Sequence, residues 1–166
     1  MMIEITFKDF YEYKYREDGF YELYVIKNGL EEILYVGISD QNIWNRWFGW
    51  NGHIMGDARY MIGESTVGKK IVDHLPDSWS WKIQLWTLDD CVAFCEDELG
   101  LLRGRYTIQS VEPFMVQKLC PILNVHYNKN PGVDHMPRSD REKRRQAVLD
   151  QVYYEVFEKK KAKDSR

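Results

Sequence analysis

The chain has 166 residues, a formal net charge of −3, and side chains that are 44% hydrophobic and 14% aromatic. That is apolar material for one domain with a sizeable core; it excludes a disordered polymer, and with no run near the roughly 20 apolar residues of a membrane span it excludes a membrane protein. Three cysteines without framework spacing, and a residue 1–10 stretch without the apolar core of a secretory signal, exclude a secreted disulfide scaffold and predict a reducing, cytoplasmic setting.

Residues 3–7 alternate apolar and polar, and residues 11–15 turn polar and tyrosine-rich. Residues 20–26 and 33–38 are β-prone runs around Lys27-Asn28-Gly29, which predicts a hairpin. Asn42–Trp50 has apolar residues at helical spacing, Gly49–Gly63 is irregular, and a second helix is expected from about Ser65 to Leu75, stopped by Pro76. Trp79, Trp81, Ile83 and Leu85 predict a one-faced strand over 79–86. Helices are expected at Leu88–Leu99 and Ile108–Leu119, the latter ended by Pro121 and followed by a short extended piece at 122–125. Residues 129–138 read as a linker and 139–166 as a charged helix with an apolar stripe at Val148, Val152, Val156 and Phe157. The fold expected is α/β: a small central, mostly antiparallel sheet flanked by helices over residues 1–128, with an added C-terminal helix.

Charge is distributed unevenly. Residues 1–137 hold 13 basic and 20 acidic side chains, net −7, whereas residues 138–166 hold 10 and 6, net +4. An acidic body with a basic tail is one pattern that suits contact with a polyanion, although a solvated charged helix gives the same count.

Five polar residues stand in order on these elements: Tyr24 and Tyr35 in the two hairpin strands, Arg46 on the next helix, Glu112 on the late helix, and Asn124 three residues after Pro121. This order resembles the GIY-YIG nuclease family. Glu22-Leu23-Tyr24 stands for the first motif, with Glu22 where the family has glycine, and Tyr35-Val36-Gly37 for the second. The resemblance covers about residues 20–127. It implies an endonuclease that hydrolyses DNA phosphodiesters with Mg²⁺, or Mn²⁺ in its place, held by Glu112. It also implies Tyr24 as general base, Tyr35 orienting water or phosphate, and Asn124 bracing the site. His53 and Tyr60 compete for a further family position after the arginine, and His53 is favoured.

Elementary chemistry makes the set sensible. Phosphodiester hydrolysis needs an activated water and charge on the phosphoryl oxygens. A single carboxylate suits Mg²⁺, which keeps several waters, and the Arg46 guanidinium offers a planar fork to two phosphate oxygens. A phenol is a poor base at its ordinary pKa near 10, but beside Arg46 and a metal ion its anion is favoured. Pro113, directly after Glu112, is expected in a first helical turn or at a kink.

Other groupings carry weaker chemistry. Cys91 and Cys95, with His53 and His74, suggest zinc, but the spacing lacks paired ligand clusters. Gly63–Lys70 approaches a phosphate loop, yet Lys70 stands where its hydroxyl residue belongs. Lys69 and Lys70 are retained as nucleic-acid contacts, together with Arg141, Arg144 and Arg145 of the tail. Trp44, Trp47 and Trp50 suit base stacking or, for at least two of them, the core. The partner expected is DNA, without a membrane, and the apolar stripe of the tail either packs on the body or meets a second copy in a homodimer. Two rival readings are a catalytically reduced nucleic-acid-binding module of the same fold and a structural or interaction protein. In a nuclease Tyr24, Tyr35, Arg46 and Glu112 must converge on one accessible cleft.

Overall fold

A computed structural model describes residues 1–13, 20–50, 52–55, 62–63, 65–100 and 106–165. The first alternating run forms β1 (Ile3–Thr6) and passes directly into α1 (Phe7–Tyr13). The two hairpin runs form β2 (Tyr21–Lys27) and β3 (Ile33–Ile38). Asn28 closes their connection: its Oδ1 accepts from the backbone N–H groups of Leu30 at 2.9 Å and Glu32 at 3.0 Å, and Glu31 takes a left-handed conformation at φ 64°.

Next come α2 (Ile43–Phe48), the short strands β4 (Ile54–Met55) and β5 (Ile62–Gly63), and α3 (Thr66–Asp73). The strand expected at 79–86 is shorter: Asp77–Ser80 winds into a 3₁₀ turn, and β6 spans Lys82–Thr87. The long helix expected at 88–99 is broken at Cys95 into α4 (Leu88–Phe94) and α5 (Glu96–Leu99). The last helix of the body is α6 (Ile108–Leu119), capped by Thr107. Pro113 is its sixth residue, beyond the first turn, so the carbonyl of Gln109 receives no N–H from it.

The sheet is α/β in class and antiparallel throughout its four strands, in the order β1-β6-β2-β3. Both faces of β2 are buried, which is why Leu23 to Ile26 read as a continuous apolar run rather than an alternation. Tyr24 and Ile26 point to one core with residues of α1, α2 and α3; Leu23 and Val25 point to a second with residues of α4 and α6. Cys91 and Cys95 lie in that second core, whereas His53 contacts Trp47 of the first. The four residues considered for zinc therefore lie on opposite sides of the sheet.

Beyond β3 the chain pairs once more without becoming a regular strand. Ile122 N–H donates to Ile33 O at 3.0 Å and Leu123 N–H to Leu34 O at 2.8 Å. This covers the outer edge of β3.

Two units divide the chain after Met136. Residues 129–136 belong to the body, held by Gly132 N–H to Cys120 O at 2.9 Å, a Lys70–Asp134 ion pair at 2.9 Å, and His135 against Glu32. The second unit is helical: α7 (Asp140–Tyr153), a π turn over Tyr154–Glu158, and α8 (Lys159–Asp164). None of its described residues is buried, and the stripe at Val148, Val152, Val156 and Phe157 is exposed. Among the described residues, no helix is long and apolar enough to cross a membrane.

Candidate active site

The hairpin register puts the two tyrosines on one face: Tyr24 is opposite Gly37 and Ile26 opposite Tyr35, so the rings are diagonal neighbours. Tyr24 and Tyr35 are on neighbouring strands, and a strict two-residue period in β3 would put Leu34 and Tyr35 on opposite sides. The register slips instead: Ile26 faces Tyr35 while Lys27 faces Ile33, leaving Leu34 as the extra residue of a bulge. Leu34 consequently packs against the same core as Tyr35. The Tyr24 and Tyr35 rings lie 6.2 Å apart. Tyr24 is paired with Gly37, and its phenol fills the space where a Cβ at 37 would stand.

Arg46 and His53 reach the tyrosines from the segment after β3. Asn42 caps α2 by accepting from Asn45 N–H, and Arg46 lies in the helix's last turn. Past the turn, His53 N–H donates to Arg46 O at 3.0 Å, and the His53 carbonyl packs so closely on Gly68 of α3 that no Cβ fits there. The imidazole is thereby held with Nε2 2.6 Å from the Tyr24 hydroxyl and Nδ1 2.6 Å from Ser65 Oγ. Ser65 is also the N-cap of α3, accepting from Gly68 N–H at 3.0 Å. The segment that approached a phosphate loop in sequence is this cap.

An open cleft of about 280 Å³ lies beside the group, lined among others by Tyr35, Ser65, Glu112, Asn124 and His126. Glu112 comes from α6; among the described residues no hydrogen bond or ion pair occupies its carboxylate. Asn124 is spent on the backbone of β3: its Oδ1 accepts from Val36 N–H at 2.9 Å and its Nδ2 donates to Val36 O at 2.8 Å. Those bonds hold the cleft wall next to Tyr35.

Electrostatics tie the set together. Burial raises the pKa of Tyr24, with Tyr35 and Glu112 adding to the rise, while the Arg46 guanidinium opposes it. Burial also raises Tyr35, reinforced by Glu112 and opposed by Arg46. Burial and then Arg46 push His53 down to about 3, so its imidazole is neutral. Burial raises Glu112, partly offset by the neighbouring His126. The expectation that Arg46 favours an ionised Tyr24 thus holds in sign, but desolvation outweighs it.

Tyr24, Tyr35, Arg46, His53, Glu112 and Asn124 are therefore brought together by the fold. Tyr35, Glu112 and Asn124 face the cleft, while His53, 2% exposed, is one hydrogen bond behind its wall at Ser65 and Tyr24, 1% exposed, is two. Tyr60, the rival of His53, lies outside the described residues. Lys69 is exposed, whereas Lys70 is largely covered and ion-paired with Asp134. Arg141, Arg144 and Arg145 belong to the second unit. Trp47 is buried and Trp44 half-buried, its indole donating to Tyr11 O at 3.1 Å; Trp50 is 86% exposed.

Two cleft residues carry no signal that spacing alone detects. Ser65 reads in sequence as an ordinary helix cap, and His126 as a histidine without a partner. Comparison with protein-family models, with curated proteins and with solved structures found no match.

Proposed function

We propose that this chain is a GIY-YIG-type endonuclease that hydrolyses DNA phosphodiester bonds with Mg²⁺ or Mn²⁺. One observation carries the reading: Tyr35 and Glu112, 77 positions apart in sequence, line one open cleft with Asn124, and Tyr24, 6.2 Å from the Tyr35 ring, lies behind its wall, with Arg46 acting electrostatically on both tyrosines.

The donor set suits a hard divalent ion that keeps most of its waters. Glu112 presents a single half-buried carboxylate to the cleft, a hard oxygen ligand of the kind Mg²⁺ takes. When bound there, such an ion supplies positive charge and Lewis acidity to the phosphoryl oxygens. The remaining work falls to the chain itself. Arg46 offers its planar fork to the phosphate and neutralises charge that develops in the transition state. Tyr35, on the cleft wall, orients the attacking water, and Asn124 holds that wall through Val36. Tyr24 is the general base. Its phenol first gives up its own proton towards His53 Nε2, the acceptor 2.6 Å away. The three cysteines are free, Cys91 and Cys95 buried in the second core and Cys120 partly exposed, which suits a reducing, cytoplasmic setting.

The sealed position of Tyr24 favours one competing reading, a nucleic-acid-binding module of the same fold with reduced catalysis. Incubating supercoiled plasmid with the full chain and Mg²⁺ separates the two. Conversion to nicked or linear DNA, abolished by a chelator, supports the nuclease; retained DNA binding with no conversion in Mg²⁺ or Mn²⁺ supports the binding module.

A further inference from the structure

A base that is 1% exposed cannot exchange its proton directly with bulk water, so the proton of Tyr24 needs a path. The hydrogen bonds around His53 define its direction. Among the described residues the acceptor within hydrogen-bonding distance of the Tyr24 hydroxyl is His53 Nε2 at 2.6 Å, so the phenolic proton is directed there. A neutral imidazole has one N–H. With Nε2 accepting, that proton is on Nδ1 and is donated to Ser65 Oγ at 2.6 Å. The two lone pairs of Oγ are then taken by Nδ1–H and by Gly68 N–H at 3.0 Å, and the Ser65 O–H turns to the cleft that Ser65 lines.

We propose that Ser65 is a positioning residue that holds His53 in its Nδ1–H tautomer and forms the cleft end of a proton path from Tyr24. In the forward step the Tyr24 O–H bond breaks and its proton bonds to Nε2. The Nδ1 proton passes to Ser65 Oγ, and the original Ser65 hydroxyl proton leaves to a water in the cleft. One proton has then moved from phenol to cleft water, leaving a Tyr24 phenolate and a His53 that is neutral in the Nε2–H tautomer. The reverse sequence restores the starting state. A path of this kind avoids the imidazolium, which burial and Arg46 disfavour. The use of the phenolate rests on the nuclease reading; the tautomer does not.

The test uses the full chain, with Ser65→Gly to remove the hydroxyl and Ser65→Thr to keep it. Glycine is a well-tolerated N-cap residue, so α3 survives. Long-range ¹H–¹⁵N spectra report the His53 tautomer, and plasmid cleavage under saturating and limiting DNA reports kcat and KM. The expected result is Nδ1–H in the parent and in Ser65→Thr, and loss of that single tautomer in Ser65→Gly. Cleavage by Ser65→Gly should show kcat reduced by about 10²-fold with KM unchanged, restored by threonine. An Nε2–H tautomer in the parent, or parental kcat in Ser65→Gly, overturns the proposal. If the parent cleaves no DNA, the nuclease reading fails by itself, and the parent and Ser65→Gly tautomers still decide the place of Ser65.

Discussion

The phenol of Tyr24 lies over the α-carbon of Gly37, its register partner on the neighbouring strand. A Cβ at position 37 would overlap the ring and its hydroxyl oxygen far inside van der Waals contact. The glycine of Tyr35-Val36-Gly37 thus serves the tyrosine of the other strand, because only a missing side chain leaves room for a ring at that depth. The same oxygen meets His53 Nε2 at 2.6 Å, so a change at Gly37 propagates to the imidazole and to Ser65.

Gly37→Ala is expected to destabilise the fold by about 1–3 kcal/mol, the usual cost of overpacking a filled core, and to lower Tm by several degrees. Thermal unfolding by circular dichroism checks this. The Tyr24–His53 bond should be broken in the same variant, so cleavage should fall further than the loss of folded protein explains.

Glu112→Gln is expected to keep or raise Tm at neutral pH while losing cleavage. Burial holds the folded-state pKa of Glu112 above its ordinary value. For a carboxyl raised in this way, the stabilising contribution is present at acid pH and is lost as pH rises through the folded-state pKa. Glutamine is spared that loss. Mg²⁺ should raise the Tm of the parent and leave that of the variant unchanged, since only the parent offers a charged ligand. Differential scanning calorimetry with and without Mg²⁺ measures both effects.

Arg46→Lys should lower kcat by about 10²–10³-fold, the scale for removing one oriented donor from a transition state, because an ammonium cannot present two prongs to a phosphate. It also leaves Tyr24 with less to oppose the burial that raises its pKa. Single-turnover cleavage rates at matched DNA occupancy check the loss; near-parental rates would make Arg46 a spectator.

A chain ending at Pro137 should bind DNA more weakly and with a flatter salt dependence, by about 0.9 of slope for each phosphate contact removed. The body should keep its Tm, since no described residue of 137–165 is buried. Measuring log Kd against log salt, with Tm alongside, decides between tail contacts to DNA and other uses of the stripe. An unchanged slope with a lower Tm or a smaller oligomer would assign the exposed stripe to the body or to a second copy.

Local chemistry made much of this fold legible. The Asn28-Gly29 turn between β-prone runs predicted the hairpin, and the stop at Pro121 predicted the end of a helix that α6 forms over the residues expected. Non-local pairing was not legible. Ile3–Thr6 becomes an edge strand because β6, nearly 80 residues away, accepts it, and Phe7 leaves the alternation to start α1. Trp79 continues the apparent strand pattern of β6, yet it lies in the 3₁₀ turn that precedes the strand. In the site, residue types and order pointed to Tyr24, Tyr35, Arg46, Glu112 and Asn124, while the depth of Tyr24 depends on a close contact with Gly37 that spacing does not encode. Ser65 and His126 become visible only when α3 and the segment after α6 close on one cleft.

The most direct measurement compares the parent with Glu112→Gln on the same labelled duplex: equilibrium binding in Ca²⁺, then single-turnover cleavage after transfer to Mg²⁺. The account predicts equal binding, with strand cleavage by the parent alone. Cleavage by Glu112→Gln at the parental rate, or none by the parent in either Mg²⁺ or Mn²⁺, would contradict it.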